Sequence, residues 1–384
     1  MKAWKKLSLS LILLLALALA GCRNKSSNLT DFNRSVYTPE YASGFDIKGA
    51  DGRQSVLLTV TNPWQGAEGV ETALFIARDG EPAPAGFEGQ VLRDEARRVV
   101  CMSGSYIAML DALGAADRVV GVSGAQYLIN ETLRRRIARG EAADVGFDSN
   151  VDFERLMALR PDLVMLFGIG GADTALTGKL RELGIPYLYM GEHCEESPLG
   201  KSEWVVVAAE IAGLRTEGSR LFAAIPERYE RLRALAQQTA ARPRVMLNTP
   251  YRDTWFMPAR NSYMVRLLED AGARYVFEEN TATQTLPIDI EQAYYLTSKS
   301  DFWLNVSGCN TLDEVRRQNP RLADTPPVRE GRVYDNNRRR NAAGGSDFWE
   351  SGVLRPDRVL ADLVHIFHPE LSETDELYYY RQLE

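Results

Sequence analysis

The chain has 384 residues, with 45 Lys and Arg against 52 Asp and Glu, and carries a formal net charge of −7. This acidic balance argues against nucleic acid as a partner, because a protein that neutralises phosphates needs a basic surface. The length is too great for one average domain and suits two.

The first 21 residues have the pattern of a signal peptide. Lys2, Lys5 and Lys6 form a basic start. The apolar run that follows spans about 14 residues, fewer than the ~20 that a spanning helix needs. It ends in Leu-Ala-Gly-Cys, which resembles the lipobox of bacterial lipoproteins. That resemblance implies cleavage before Cys22 and a lipid anchor on it, with an ordinary signal peptide and a chance cysteine as the alternative.

The next 70 residues precede the main α/β pattern. Residues 22–43 are polar and predict a tether from the membrane. Residues 44–92 are rich in β-forming residues, with Asp51-Gly52 where a hairpin turn would fall, and 80–89 is a Pro- and Gly-rich linker. We therefore predict a small β-rich extension over 44–92, to which the sequence assigns no function.

Strands and helices alternate from residue 93 onward. Apolar strands at 98–101, 119–122, 162–167 and 187–190 are separated by helical segments. The strand at 162–167 is apolar throughout, as expected of a parallel strand covered on both faces. This series predicts an open parallel sheet in an N-terminal lobe, residues 93–200.

A second series repeats the first in residues 242–371. Asp152 and Asp162, which flank one helix of the first series, return in the same order as Asp289 and Asp301. A second match, which also spans a helix and its following strand, pairs 110–115 with 268–273. Two ordered matches predict that the C-terminal lobe is a duplicate of the first.

A helical connector is predicted between the lobes, over residues 201–241. Apolar residues recur there at helical spacing, with Gly213 and Pro226 as the only expected interruptions. Residues 372–384 are left as a tail. Cys194 and Cys309 have no C-x-x-C spacing, so that a metal knuckle is not indicated, although a bridge between them stays open.

Several ordered motifs then resemble a known family. They are Arg98-Val-Val-Cys-Met-Ser103, the L-x-x-L-x-P-D-L-V element at 156–164, Gly331-Arg-Val-Tyr334, and Arg355-Pro-Asp357 with His368-Pro-Glu-Leu371. Together with the lipobox and the duplicated lobes, they resemble the iron-siderophore and cobalamin substrate-binding proteins of ABC importers. The resemblance implies an α/β fold: two Rossmann-like lobes with parallel sheets joined by one long helix, here with the β-rich extension.

This family clamps one ligand between its lobes, which places candidate contacts in loops after the strands. Arginines concentrated in one such loop favour an anionic ligand, and nearby aromatic rings can stack on a flat one. The candidate ligand-binding residues are Ser105, Tyr106, Tyr127, His193, Tyr251, Trp255, Arg260, Tyr263, Arg338, Arg339, Arg340 and Trp349. A solvated arginine loop and a core Trp255 are the alternatives.

The resemblance also implies docking on a permease through one acid on each lobe. The nearest acids are Asp173 and Glu269, whereas the aligned positions hold Thr174 and Arg266.

Enzyme functions fit less well. The stretch Gly168-Ile-Gly-Gly171 follows a strand, but a dinucleotide fingerprint needs a small residue where Asp173 stands. A tetrapyrrole chelatase is the best enzyme alternative, and a lipoprotein that binds only a protein partner is another. We predict a membrane-anchored periplasmic receptor, monomeric and without a resident cofactor or metal. Its ligand is a ferric siderophore, with cobalamin and then heme as alternatives, and its partner is an ABC permease.

Overall fold

A computed structural model of the protein describes residues 27–168, 171, 174–251, 254–282, 284–372 and 375–384. Within these ranges the chain forms three five-stranded sheets and one three-stranded sheet. No helix of the described part combines the length and the apolar character that a membrane crossing requires. The predicted fold class, two α/β lobes with parallel sheets and a β-rich extension, is confirmed.

The N-terminal extension is a five-stranded sheet in sequential order, antiparallel except for its last pair. Its strands are β1 Arg34–Tyr37, β2 Phe45–Gly49, β3 Val56–Thr61, β4 Glu71–Ala77 and β5 Gln90–Arg93. Alternate residues of β2 and β3 are buried, because successive side chains of a strand point to opposite faces. The predicted turn at Asp51-Gly52 lies between these strands, with Gly52 at φ +70°.

The described part of the predicted tether belongs to the folded body, so that this prediction is wrong for residues 34–43. Strand β1 pairs with β2. The buried carboxylate of Glu203 accepts hydrogen bonds from the backbone N–H groups of Glu40, Tyr41 and Ala42, at 2.7–2.8 Å. The polar composition of residues 34–43 does not indicate this contact, because the carboxylate that accepts their hydrogen bonds lies about 160 residues later in the chain.

The N-terminal lobe contains a parallel sheet with strand order β10-β9-β6-β7-β8. Its strands are β6 Val99–Cys101, β7 Val119–Val122, β8 Ala143–Asp144, β9 Leu163–Phe167 and β10 Tyr187–Met190. Its helices are α1 Gly104–Ala112, α2 Glu131–Ala138, α3 Phe153–Leu159 and α4 Ala175–Leu183. Strands β6, β7 and β9 are buried along nearly their whole length, as the apolar runs predicted.

Three consecutive helices connect the lobes: α5 Pro198–Glu203, α6 Val205–Ile211 and α7 Arg215–Ala236. Gly213, at φ +67°, separates α6 from α7 as predicted. Pro226 lies inside α7, which continues through it, so that the interruption predicted there is wrong. Burial of Phe222, Ile225 and Tyr229 along one face of α7 compensates for the backbone hydrogen bond that proline cannot donate.

The C-terminal lobe contains a sheet with order β14-β11-β16-β17-β18, parallel except for its last pair. The strands of this lobe are β11 Arg244–Leu247, β12 Pro250–Tyr251, β13 Thr254–Met257, β14 Arg274–Tyr275, β15 Leu286–Ile288, β16 Phe302–Leu304, β17 Val333–Asp335 and β18 Arg381–Gln382. Its helices are α8 Tyr263–Asp270, α9 Ile290–Ser298, α10 Leu312–Gln318, α11 Pro326–Arg329, α12 Ser351–Leu354 and α13 Pro356–Phe367. Strands β12, β13 and β15 form the separate small sheet.

The repeated aspartates make the same contacts in both lobes. Asp152 caps the N-terminus of α3 and Asp289 caps that of α9, each through a hydrogen bond from the backbone three residues on. Asp162 accepts from the backbone N–H at the start of β6, and Asp301 does so at the start of β11. The lobes therefore share a local construction that the sequence repeat predicts.

The predicted tail also differs from the structure, since its end is part of the C-terminal lobe. Strand β18 pairs with β17, and Tyr379 and Tyr380 are buried. The buried carboxylate of Asp362 accepts hydrogen bonds from the backbone N–H groups of residues 378–380, at 2.6–3.0 Å. Aromatic burial and this helix-borne acceptor fix the segment in place.

Candidate ligand-binding cleft

Loops that follow the strands of both lobe sheets meet each other at the boundary between the lobes, which we call the cleft. The loop after β7 belongs to the N-terminal lobe, and the loop after β17 belongs to the C-terminal lobe. The side-chain amide of Asn341 donates to the carbonyl oxygens of Gln126 (2.9 Å) and Leu128 (3.1 Å). A Cβ on Gly345 would come within 1.7 Å of the Tyr127 carbonyl oxygen, so that only glycine allows this approach.

Glu350 strengthens the same contact from the C-terminal lobe. Its carboxylate accepts hydrogen bonds from the backbone N–H groups of Ile129 (2.8 and 3.0 Å) and Asn130 (2.9 Å). Burial raises the pKa of Glu350 to about 7, against the opposing effect of these hydrogen bonds, and the charges of Asp347 and Asp111 raise it further. One side of the cleft is thus closed by direct contact between the lobes.

A buried acid and a histidine lie at the carboxyl ends of β9 and β10. Glu192 accepts a hydrogen bond from Ser105 through one carboxylate oxygen (3.0 Å). The His193 ring stacks on Phe167, with centroids 4.2 Å apart, and its Nε2 lies 3.1 Å from the Gly168 carbonyl oxygen. Among the described residues, the other Glu192 oxygen and His193 Nδ1, 3.9 Å apart, have no hydrogen-bond partner.

The charge on this histidine follows from its neighbours. Burial by itself lowers the pKa of His193, but the neighbouring Cys194 and Glu192 side chains together outweigh burial and raise the pKa to about 9. The ring is therefore an imidazolium at neutral pH, paired with a carboxylate that burial keeps away from water.

Lys201 joins this acid–histidine pair to the C-terminal lobe. Its buried ammonium group donates to the Glu192 carbonyl oxygen (3.0 Å) and lies 4.4 Å from the centroid of the Tyr263 ring. Burial lowers the pKa of Lys201. Lys201 and Tyr263 border a small cavity of about 10 Å³, enough for one water molecule.

The three predicted arginines have three different environments. Arg338 pairs with the exposed Glu376 (2.9 Å). Arg339 pairs with the buried Asp347 (2.7 Å), so that its charge is already neutralised inside the lobe. Arg340 donates to the side-chain oxygen of Asn310 and borders an open concavity of about 410 Å³, lined by residues 340–344.

Two predicted aromatic contacts are core residues instead. Trp255 is 1% exposed, stacks on Trp303 (5.5 Å between centroids) and donates its indole N–H to the Leu247 carbonyl oxygen at 2.9 Å. Tyr106 is fully buried, and its hydroxyl donates to the Leu166 carbonyl oxygen (3.3 Å). Each polar tip finds a backbone acceptor inside its lobe, so that neither ring lies on the cleft surface.

The remaining predicted residues are distributed over the cleft and its surroundings. Tyr127, Tyr251 and Trp349 are exposed, while Ser105 is buried against Glu192. Arg260 forms an ion pair with Glu269 (2.8 Å), so that a predicted ligand contact and a predicted docking acid engage each other. Cys22 and Asp173 lie outside the described residues. In the described part of the chain, no group of three or more His, Cys, Asp or Glu is placed to hold a metal ion.

Nothing in the sequence indicates that the extension reaches the cleft. The loop between β3 and β4, residues 62–70, lies at the carboxyl ends of β9 and β10. A Cβ on Gly168 would come within 2.6 Å of the Pro63 carbonyl oxygen, and the Trp64 ring lies 5.3 Å from that of Tyr189. The single trace of this contact in the sequence is the glycine at position 168, which leaves room for the Pro63 backbone.

Two parallel-sheet lobes, a helical connector and strand-end loops that meet between the lobes define a bilobal solute-binding protein. A family model described as periplasmic binding protein matches residues 99–338. The chain belongs to this family.

Two uncharacterized lipoproteins of Methanocaldococcus jannaschii are similar to the chain: one is 26% identical over 71% of this chain and 65% of its own length, the other 22% identical over 82% and 81%. The chain thus spans slightly less than two thirds of the first relative. A periplasmic heme-binding protein from Pseudomonas aeruginosa superposes with a TM-score of 0.57, 19% identity, and coverage of 75% and 98%.

Another solved structure belongs to a transport system for a different iron complex. A Fe3+-hydroxamate transport protein from Saccharomonospora viridis superposes with a TM-score of 0.55 at 17% identity, covering 81% of this chain and 98% of its own. At these identities the superpositions show a shared fold.

Proposed function

We propose that the protein is the lipid-anchored solute receptor of an ABC importer, and that it binds an iron complex in the cleft between its lobes. The observation that carries the proposal is the meeting of strand-end loops from two parallel sheets, which is where open α/β sheets bind their ligands. The chain delivers its ligand to a permease and itself makes or breaks no bond.

The ligand class rests on charge and on fold neighbours. Solved neighbours of this fold are described as binding heme or as belonging to Fe3+-hydroxamate transport. Arg340 and the exposed Trp349 offer a cation and a flat ring in the loop after β17, which suits an anionic, partly planar complex. We therefore propose heme or a ferric siderophore as the ligand, with cobalamin as the alternative.

The anchor is part of the same proposal. The Leu-Ala-Gly-Cys22 sequence supports lipidation, and both curated relatives are named lipoproteins. A lipid on Cys22 keeps the receptor beside the permease and raises its local concentration there.

A fluorescence titration tests the proposal. Purified protein is titrated with hemin, a ferric hydroxamate, a ferric catecholate and cyanocobalamin, and tryptophan quenching is recorded. Trp349 is exposed in the loop after β17, whereas Trp255 is buried in the lobe, so that Trp349→Phe is the informative variant and Trp255→Phe its matched control.

Saturable quenching by one iron complex, much reduced in Trp349→Phe and retained in Trp255→Phe, supports an iron-complex receptor. Saturation by cyanocobalamin alone supports the corrin alternative. Folded protein that binds none of the four contradicts the proposal and favours a lipoprotein that binds a protein partner.

A further inference from the structure

Two arginines from distant parts of the chain meet at one neutral oxygen. Arg381 begins β18, and its Nη2 donates to the side-chain oxygen of Asn310 at 3.1 Å. Arg340, in the loop after β17, donates to the same oxygen. Asn310 follows β16, so that three segments converge at the carboxyl edge of the sheet.

The two arginines of this cluster have no close ion pair within the described residues. Arg338 and Arg339 each form an ion pair with a carboxylate, whereas Arg340 and Arg381 form none in the part of the chain that the structure describes. Asp335, the backbone neighbour of Arg381 in the β17–β18 ladder, is an acid on which both arginines act electrostatically. Burial raises the pKa of Asp335 to about 6, although both arginines oppose this effect.

A third polar side chain of the cluster, that of Asn337, lies beside Asp335. Asn337 accepts a hydrogen bond from Arg381 Nε through its side-chain oxygen (2.6 Å), which leaves its amide nitrogen as a donor. That nitrogen is buried and has no partner among the described residues. Buried donors without a partner are rare in folded proteins. The buried Asp335 Oδ1 also lacks a partner, and the Asn337 side chain lowers the pKa of this acid, so that the amide faces a carboxylate of the protein itself.

We propose that Arg340 and Arg381 form a subsite for a carboxylate of the transported ligand. The planar guanidinium groups match the two oxygens of a carboxylate better than the single amide oxygen they now share. The subsite borders the 410 Å³ concavity, and Arg340 and Arg381 lie beyond residues 99–338, the region that the family model matches. This inference rests on the proposed function and narrows its ligand to a carboxylate-bearing complex.

Two ligand pairs test the subsite and distinguish the sources of a carboxylate. Hemin is compared with its dimethyl ester, in which both carboxylates are blocked, and ferric citrate with a ferric hydroxamate that has no free carboxylate. Binding is measured for wild type, Arg381→Met, Arg340→Met and the control Arg338→Met. Because Arg381 lies in a strand and Arg340 in a loop, the second variant guards against a folding defect in the first.

We expect the carboxylate member of one pair to bind at least tenfold more tightly to wild type. Arg381→Met and Arg340→Met are each expected to bind that carboxylate compound about tenfold more weakly, since a hydrogen bond to a charged group is worth about a factor of ten. Their affinity for the compound without a free carboxylate should change less than twofold. Arg338→Met is expected to behave as wild type.

Equal affinity of wild type for both members of each pair overturns the subsite and leaves the proposed function intact. An equal loss of affinity in Arg338→Met would show that the effect comes from net charge alone, and it would also overturn the subsite. Failure of wild type to bind any of the four compounds contradicts the proposed function and the subsite together.

A separate observation concerns the extension. Its loop 62–70 lies against Gly168, whose carbonyl oxygen is the partner of His193, and a Cβ on Gly66 would come 3.6 Å from the side-chain amide of Gln284 in the C-terminal lobe. The loop thus contacts the N-terminal lobe at Gly168 and the C-terminal lobe at Gln284. We infer that it forms a third wall of the ligand cleft.

Dissociation rates of the bound ligand test this wall. Trp64→Ala removes the ring that packs on Tyr189, while Phe87→Ala removes a ring of the same sheet that packs on Phe75 in a separate cluster. We expect Trp64→Ala to release ligand at least fivefold faster, Trp64→Phe to restore the rate, and Phe87→Ala to leave it unchanged. Equal rates in Trp64→Ala and wild type, or equal effects of Trp64→Ala and Phe87→Ala, overturn the inference.

Discussion

The contact between the lobes at Glu350 predicts a specific dependence of stability on pH. The side chain is 6% exposed, and burial raises its pKa from the ordinary 4.5 to about 7. A folded-state pKa above the unfolded value means that the stabilising contribution is fully present below about pH 4.5. It is lost as the pH rises through about 7. A difference of this size corresponds to about 3 kcal/mol.

Glu350→Gln removes the titration and retains an oxygen that can accept from Ile129 or Asn130. We expect the free energy of unfolding of wild type, relative to this variant, to fall by about 2–3 kcal/mol between pH 4.5 and 8. Urea unfolding at pH 4.5, 6, 7 and 8 measures it, with Glu376→Gln, an exposed acid of the same lobe, as the matched control. A difference that stays constant within about 0.5 kcal/mol over this range refutes the reasoning.

Three further substitutions test other contacts. Glu203→Gln leaves backbone N–H groups of residues 40–42 without a charged acceptor, and we expect a loss of about 3–5 kcal/mol in urea unfolding; a loss below about 1 kcal/mol contradicts the anchoring of that segment. Gly345→Ala is expected to separate the lobes at Tyr127 and to increase the radius of gyration in small-angle scattering; unchanged scattering and stability would place the lobes apart in solution. Trp255→Phe should lower the free energy of unfolding by about 1–3 kcal/mol and alter ligand affinity less than twofold. Unchanged stability with a large loss of affinity would show that Trp255 contacts the ligand.

The fold could be predicted because its signals are local. Apolar runs identified β7 and β10 with their bounds, and the repeated aspartates indicated the duplication through the caps and strand contacts that they make in both lobes. Periodicity also predicted the connector. It could not show that Pro226 is tolerated, because that depends on how well the buried face of α7 packs.

The candidate site could be predicted only in part, because its partners are distant in sequence. The loop with Arg338, Arg339 and Arg340 was found from its composition, but which arginine keeps an unbalanced charge depends on Asp347 and Glu376. Nothing local marks Arg381 as their neighbour, since strand pairing brings it there. Trp255 was misassigned because a strand-end position does not show whether an indole finds a backbone acceptor inside the lobe.

The same limit applies to the extension. Its strands follow from composition, but the position of Trp64 against Tyr189 is set by packing between two sheets. The anchoring acids also lie away from the segments they hold: Glu203 is about 160 residues from residues 40–42, and Asp362 is 16–18 residues from residues 378–380.

The central claim is that this chain binds one iron complex between its lobes. Equilibrium dialysis of the purified protein against radio-iron-labelled heme and ferric siderophores measures that binding directly. The account predicts saturation at one iron per chain for one class of complex, and a reduced affinity in Arg340→Met. Binding at no defined stoichiometry, or iron that is retained equally by heat-unfolded protein, would contradict it.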